Sequence, residues 1–424
     1  MSEGAAERAA FPALSLRVNF AWTLAGTVVY AACQWGVLVV LAKLCSPEEV
    51  GNFALAIAVT SPIFLLSNLQ LRSIQATDAR REVRFSDYLG VRAAGTTVSC
   101  AISLGIALLG NFPPSARAVI VTVALAKAVE SFCDVLYGLF QQHERMDCIA
   151  ISLFARGLLG LWLVGAGVWL GRTATWAAAG MVVAWSAVLF FHDLPARTIA
   201  PEAPLDRRPR PQRWRDRSRV AMTGVPLGVV MLLVSLNQNI PRYFLQATRG
   251  ERQLGLFAAI ASILTAGLVI VNALGQSASP RLAALAAHAD RAGFKALLSK
   301  LLLGVASVGV IGLIAAQLMG PTILRLLFTP EYAAHAPVLV TIMVAGAIGF
   351  LASILGYAMT ALRIFKAQVP LFAITCLVAA SWAWFDAPRA GIAGAARAMV
   401  AAAIVQAIVS AVIVLRRIPA EKRP

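Results

Sequence analysis

The chain is 424 residues long, 59% hydrophobic and 13% charged, with a formal net charge of +17 and a mean hydropathy of +0.76. A soluble globular domain carries about 25% charged residues, so the composition excludes a soluble enzyme or binding module and assigns the chain to lipid. At about 20 apolar residues per crossing of a hydrocarbon core about 30 Å thick, there is room for about a dozen helices and none for a sizeable soluble domain.

Met1 to Leu16 is polar and mixed and lacks the pattern of a cleavable signal, so the first apolar run, after Arg17, is expected to remain as an anchor. Apolar runs then fall at 18–42, 50–71, 89–110, 117–140, 148–170, 176–192, 220–246, 254–277, 297–319, 337–362, 369–385 and 391–415. This predicts an all-α integral membrane protein of about twelve transmembrane helices. Alternate loops sort the charge. Arg8, Arg17, Arg72, Arg80, Arg81, Arg84, Arg145, the 197–219 cluster, Arg281, Arg291, Lys295, Lys300, Arg363, Lys366 and the Arg416–Arg423 tail share one side. Lys43, Arg117, Arg172, Arg249, Arg252, Arg325 and Arg389 share the other. The positive-inside rule places both termini in the cytoplasm and accounts for the basic charge without nucleic acid as a partner.

The polar break at 193–219, rich in Pro and Arg, reads as a mobile cytoplasmic linker. It divides the chain into two six-helix bundles, 1–192 and 220–424. A shift of 204 lays Gln34 on Gln238, Leu41 on Leu245, Gly51 on Gly255, Phe53 on Phe257, Ala54 on Ala258, Asn68 on Asn272 and Ser73 on Ser277. Equal span counts and these identities hint at duplicated halves, the plan of transporters that hold substrate between bundles.

An ionisable side chain at mid-bilayer costs about 2.5–3.5 kcal/mol and so faces a partner or a wet cavity. The candidates are Arg92, Lys127, Glu130, Asp134, Arg156, Arg242 and Arg397. Five cations against two acids suit an anionic ligand, particularly phosphate, whose oxygens match a guanidinium fork. In the fourth span Lys127, Glu130, Asp134, Gln141 and Arg145 share one helix face. That face is either a transport site or a self-neutralising Lys127–Glu130 pair that joins helices, with Glu130 and Asp134 as candidates for ion coupling. In the seventh, Ser235, Asn239, Arg242 and Gln246 form a polar stripe interrupted by Pro241, a site of expected bending. Arg242 is the leading candidate for substrate binding, with Asn239 beside it.

The first span places Asn19, Thr23, Gly26, Tyr30 and Gln34 near one face, which reads equally as cavity lining or helix packing. Trp162, Trp169, Trp176 and Trp185 include expected interfacial anchors. His143, His192, His288 and His335 sit at loop edges, and Arg281 to Lys300 reads as an amphipathic helix on the inner surface. The six cysteines are scattered singly, with no metal-ligand spacing. No phosphate loop, nucleophile elbow, HExxH or DxD occurs, so no cofactor or metal is expected. The loops opposite the basic side are short, the longest near 320–337, which favours a transporter over a glycan polymerase or ligase.

The stretches LAKLCSPEEVGNFALAIAVTSPIF (41–64), NLQLRSIQATDA (68–79), YGLFQQHERMDCIAIS (137–152), and NIPRYFL, LGLFAAIASIL and SASPRLA within 239–283 carry a family resemblance. They resemble bacterial polysaccharide-biosynthesis membrane proteins of the O-antigen flippase type. That group lies in the multidrug/oligosaccharidyl-lipid/polysaccharide (MOP) exporter superfamily, beside the MATE drug exporters. The resemblance implies two six-helix bundles around a cationic cavity in the bacterial cytoplasmic membrane, flipping undecaprenyl-diphosphate-linked oligosaccharide outward. The implied partners are that lipid-linked glycan, membrane lipids and the glycan-polymerisation machinery. An amphiphilic drug cation would call for acidic residues in the cavity, and the first three spans offer none.

Overall fold

The computed structural model describes residues 15–78, 83–197, 209–364 and 367–417. Of the basic positions named above, Arg8, Arg80, Arg81, Lys366, Arg423 and the linker stretch 198–208 lie outside the described residues.

All regular structure among the described residues is helical. The chain runs through α1 (Leu16–Leu44), α2 (Pro47–Ser67), α3 (Leu71–Thr77), α4 (Phe85–Leu109), α5 (Pro114–Gln142), α6 (Met146–Gly171) and α7 (Ala174–Val188). A π-helical turn, Leu189–Asp193, leads to the single turn α8 (Leu194–Ala196). Then come α9 (Arg210–Ser262), α10 (Leu264–Ala287), α11 (Arg291–Leu327), the short α12 (Pro330–Ala333), α13 (Ala336–Ala361), α14 (Gln368–Ala390) and α15 (Ile392–Arg417). Local chemistry fixes several starts. Pro47 and Pro114 open α2 and α5, where a missing N–H costs nothing. Asp290 caps α11 by accepting from the Gly293 amide at 2.8 Å.

Ten of the described helices are long and apolar enough to cross a membrane, against about twelve expected. The difference has two sources. Arg117, Lys127, Glu130 and Asp134 make α5 too polar for that test. The expected seventh and eighth spans are redistributed over α9 and α10, because α9 runs on through a kink at Gly250, whose φ of 76° suits glycine alone. Pro241 does not break the helix. A single lost hydrogen bond is tolerated where neighbouring elements pack the helix, and the departure falls at Gly250 instead. Two further expectations shift. Residues 193–197 and 210–219, expected within a mobile linker, are helical, since prolines in a first turn sacrifice no hydrogen bond. The 281–300 segment is not one surface helix: it closes α10 and opens α11 around a turn in which Ala289 has φ 55°.

The chain resolves into two compact units. One comprises Met1–Gln34, Ile63–Leu170 and Thr175–Val229, the other Trp35–Pro62, Gly171–Ala174 and Val230–Pro424. The first unit is cored by Tyr88, Leu136, Tyr137, Phe140 and Ile149, the second by Phe294, Leu298, Phe350, Ile354 and Met359. Lipid tails are as apolar as these side chains, so packing contact holds such helices together and small residues mark the tightest crossings. In the second unit α2 crosses the last turns of α9 at Gly51 and Gly255. A Cβ on either would strike backbone of the facing helix, at Glu251 and Pro47 respectively.

Candidate functional site

In the first unit the polar face of α5 is fully engaged. Lys127 Nζ donates to Glu130 Oε2 at 2.8 Å, one helical turn away. Arg156 of α6, buried in the unit, lies 3.4 Å from Glu130 Oε1 and donates to Tyr137 Oη at 3.2 Å. Its guanidinium sits over the Trp185 ring at 4.5 Å and the Tyr30 ring at 5.5 Å. That geometry holds a desolvated cation by its charge and by its plane. Tyr30 Oη completes the group, donating to Glu130 at 3.4 Å. One carboxylate thus serves two cations, leaving this cluster one positive charge in excess.

Towards the end of the same face Asp134 accepts from Arg92 Nη2 at 2.7 Å. Arg92 is 1% exposed, and its Nε and Nη1 donors find no partner among the described residues. Gln141 accepts from Arg72 Nε at 3.2 Å. Arg145, in the loop beyond, binds Asp147 bidentately at 2.9 and 2.7 Å, a hydrogen-bonded pairing that raises the arginine's pKa.

In the second unit Arg242 Nη1 donates to Asn239 Oδ1 at 3.1 Å, and Asn239 Nδ2 donates in turn to the Ser235 carbonyl at 2.9 Å. The spacing of three residues put these side chains on one face of α9, and Asn239 now orients the guanidinium. Arg242 lines a cavity of about 320 Å³ whose wall is mostly apolar, Leu264 and Phe350 included, with Asn237, Gln238, Thr265 and Gln406 as polar groups. Among the described residues no carboxylate pairs with Arg242. A lone cation beside a few amides and hydroxyls offers an anion one charge-assisted contact and a sugar a few neutral ones.

Arg397 is placed elsewhere. It binds Asp386 of α14 bidentately, at 2.6 and 2.8 Å, and does not line the Arg242 cavity. Asp386 escaped the sequence reading because the eleventh span was drawn to end one residue earlier. Asp193 was missed for the same reason at the sixth. It lies wholly buried in the π-helical turn, 2.9 Å from His192 Nδ1. The two additional acids shrink the cationic surplus expected from the sequence. Trp185 was grouped with interfacial tryptophans, yet it is 2% exposed beneath Arg156, whereas Trp162, Trp169 and Trp176 are exposed. Only long-range packing distinguishes them.

Comparison with known proteins follows the same lines. A family model described as "Polysaccharide biosynthesis protein" matches residues 16–286. The capsular polysaccharide biosynthesis protein CapF of Staphylococcus aureus is 25% identical over 323 residues, 76% of this chain and 80% of CapF. A multidrug resistance MATE family transporter of the MOP superfamily superposes in its outward-facing conformation with a TM-score of 0.65 at 14% identity, covering 95% of this chain and 94% of the transporter. The inward-facing conformation scores 0.64 at 14% identity, covering 96% and 95%. A MOP superfamily transporter from Pyrococcus furiosus, described as having a binding pocket of reverse polarity, scores 0.61 at 14% identity over 96% of each chain. At such identities these likenesses establish the fold: a multi-pass membrane protein of MOP transporter architecture.

Proposed function

This chain belongs to the polysaccharide biosynthesis protein family, and from that membership we propose that it is a flippase for undecaprenyl-diphosphate-linked oligosaccharide across the bacterial cytoplasmic membrane. It works by alternating access between the two halves, 1–192 and 220–424, with both termini in the cytoplasm.

The observation that carries this reading is Arg242, a cation without a carboxylate partner among the described residues in a mainly apolar cavity interrupted by a few amides and hydroxyls. In this scheme the guanidinium takes the diphosphate, the neutral polar groups take the glycan, and the polyprenyl tail stays in lipid. Lys127 supplies a further positive contact, because its partner Glu130 is shared with Arg156. Arg92 and Arg156, both buried and anchored, position helices rather than touch substrate. Release requires contacts weak enough to break in the outward state, which a single arginine with neutral neighbours satisfies.

The test is transbilayer movement of a labelled undecaprenyl-diphosphate oligosaccharide in vesicles holding the purified protein, with chemical analysis of the product. Movement of an unaltered glycan, lost in Arg242→Ala, is the expected result. Arg242→Ala and Arg242→Lys variants that both move substrate at the wild-type rate would remove Arg242 from the site. A lengthened or transferred glycan would mean a membrane-embedded polymerase or ligase instead.

A further inference from the structure

The start of α9 carries chemistry that the transport site does not use. Arg210 to Arg219 holds Arg213, Arg215, Arg217 and Arg219 on a helix that continues into the apolar stretch from Val220 onward. Arg217 turns inward, its Nε 3.4 Å from the buried carboxylate of Asp87 on α4. This pairing fixes the rotation of the helix on its own unit. Arg215 and Arg219, both exposed, lie one turn apart on the opposite face, where with Pro209, Gln212 and Asp216 they line an open depression of about 600 Å³. Asp216 on the same face already has an interaction within the fold.

Beside that basic face runs an apolar one. Trp214 is 75% exposed, Met222 72% and Val225 43%, spaced so that all three fall within about 80° of the helix surface. An exposed tryptophan at the polar end of a lipid-facing stripe marks the headgroup level of a bilayer. At that level the two guanidiniums, with no ion pair among the described residues, meet phosphate rather than water or acyl chain. Orientation by the positive-inside rule needs charge in this loop but places no demand on its geometry. It requires neither the inward Arg217 clamp, nor two arginines sharing a depression, nor a tryptophan alongside.

We propose that Arg215, Arg219 and Trp214 form a binding site for an anionic phospholipid headgroup in the leaflet bordering the basic loops. The arginines hold the headgroup phosphate, and Trp214 seats the glycerol and upper acyl region. The inference is independent of what the Arg242 cavity carries.

The experiment uses the full chain in vesicles of phosphatidylcholine alone or mixed with phosphatidylglycerol, with either lipid brominated on its acyl chains. The readout is the quenching of Trp214, isolated as the difference between the parent protein and Trp214→Phe. Stronger quenching by brominated phosphatidylglycerol than by brominated phosphatidylcholine is expected. The preference should fall roughly fivefold for each arginine replaced by glutamine at 215 and 219 and persist in the Arg215→Lys/Arg219→Lys protein. An Arg172→Gln/Arg325→Gln protein should keep it. Equal quenching by the two lipids, or a preference unchanged in Arg215→Gln/Arg219→Gln, would overturn the proposal. So would a site that ignores phosphatidylglycerol but is filled by added polyprenyl diphosphate, since its occupant would then be the transported lipid.

Discussion

Gly51 and Gly255 are each other's counterpart in a contact that exchanges with itself. The offset of 204 that aligns the halves carries Pro47 onto Glu251 and Gly51 onto Gly255. Gly51 lies against the backbone of Glu251, and Gly255 against the backbone of Pro47. Reciprocity of this kind defines an isologous interface, here between two stretches of one chain. Backbone cannot step aside as a flexible side chain can, so Gly51→Ala and Gly255→Ala should each cost about 1–3 kcal/mol through overpacking. Gly105→Ala, with open space around it, should be neutral. Thermal unfolding of the purified variants compares them, and equal midpoints for Gly51→Ala and Gly105→Ala would contradict the crossing.

Two ion pairs of opposite situation should behave oppositely. Asp134→Ala strands the buried Arg92 and should cost about 3–5 kcal/mol, much of it recovered in Arg92→Met/Asp134→Leu. Arg252 bridges Glu48 at 2.7 Å and also Glu331, all three well exposed, and Arg252→Gln should leave the unfolding midpoint almost unchanged. Denaturant titration reads both. If Asp134 couples an ion to transport, the Arg92→Met/Asp134→Leu protein would be folded but inactive; full activity would leave the pair a helix anchor.

Asn239 offers a test of charge at constant size. Asn239→Asp would place a carboxylate on Arg242 and cancel the positive charge of the cavity, whereas Asn239→Ala only loosens the arginine. Flipping of an anionic substrate should therefore fall further in Asn239→Asp than in Asn239→Ala. Arg242→Ala itself should lose about tenfold to a hundredfold, the worth of a hydrogen bond to a charged group. The order Asn239→Ala below Asn239→Asp would argue that the substrate is not anionic.

Arg156 should resist its usual conservative replacement. Its plane is held between Tyr30 and Trp185 while its edge meets Glu130 and Tyr137. A lysine keeps the charge but not the plane, so Arg156→Lys should unfold at a temperature close to that of Arg156→Ala. A midpoint near that of the parent protein would mean that charge alone holds the cluster.

Membrane class was legible because composition decides it, and the α5 face and the Arg242–Asn239 pair because helical spacing makes them neighbours. What periodicity does not carry is which distant side chain arrives opposite. Nothing local announces that Asp134 meets Arg92, or that Trp185, alone among the tryptophans of α6 and α7, lies under Arg156. Asp193 and Asp386 were lost differently. Helix ends are the least certain feature of an apolar run, and a carboxylate just past the drawn edge is where Arg397 and His192 find their partners. The turn at Gly250 was overshadowed by Pro241, since proline advertises a kink that surrounding packing can absorb, while a left-handed glycine leaves no periodic trace.

The π-helical turn at Leu189–Asp193 is a helix that has accommodated one residue too many. Viewed as an insertion, it absorbs the extra residue and hands the following chain on in register: deleting a single residue from Leu189–Phe191 would restore ordinary α-helix and leave Asp193 facing the interior, whereas the same deletion with the wide turn kept would swing it by about 100°. The buried carboxylate therefore tolerates a change of one residue in chain length there, because the turn can widen or close around it while the aspartate keeps its direction.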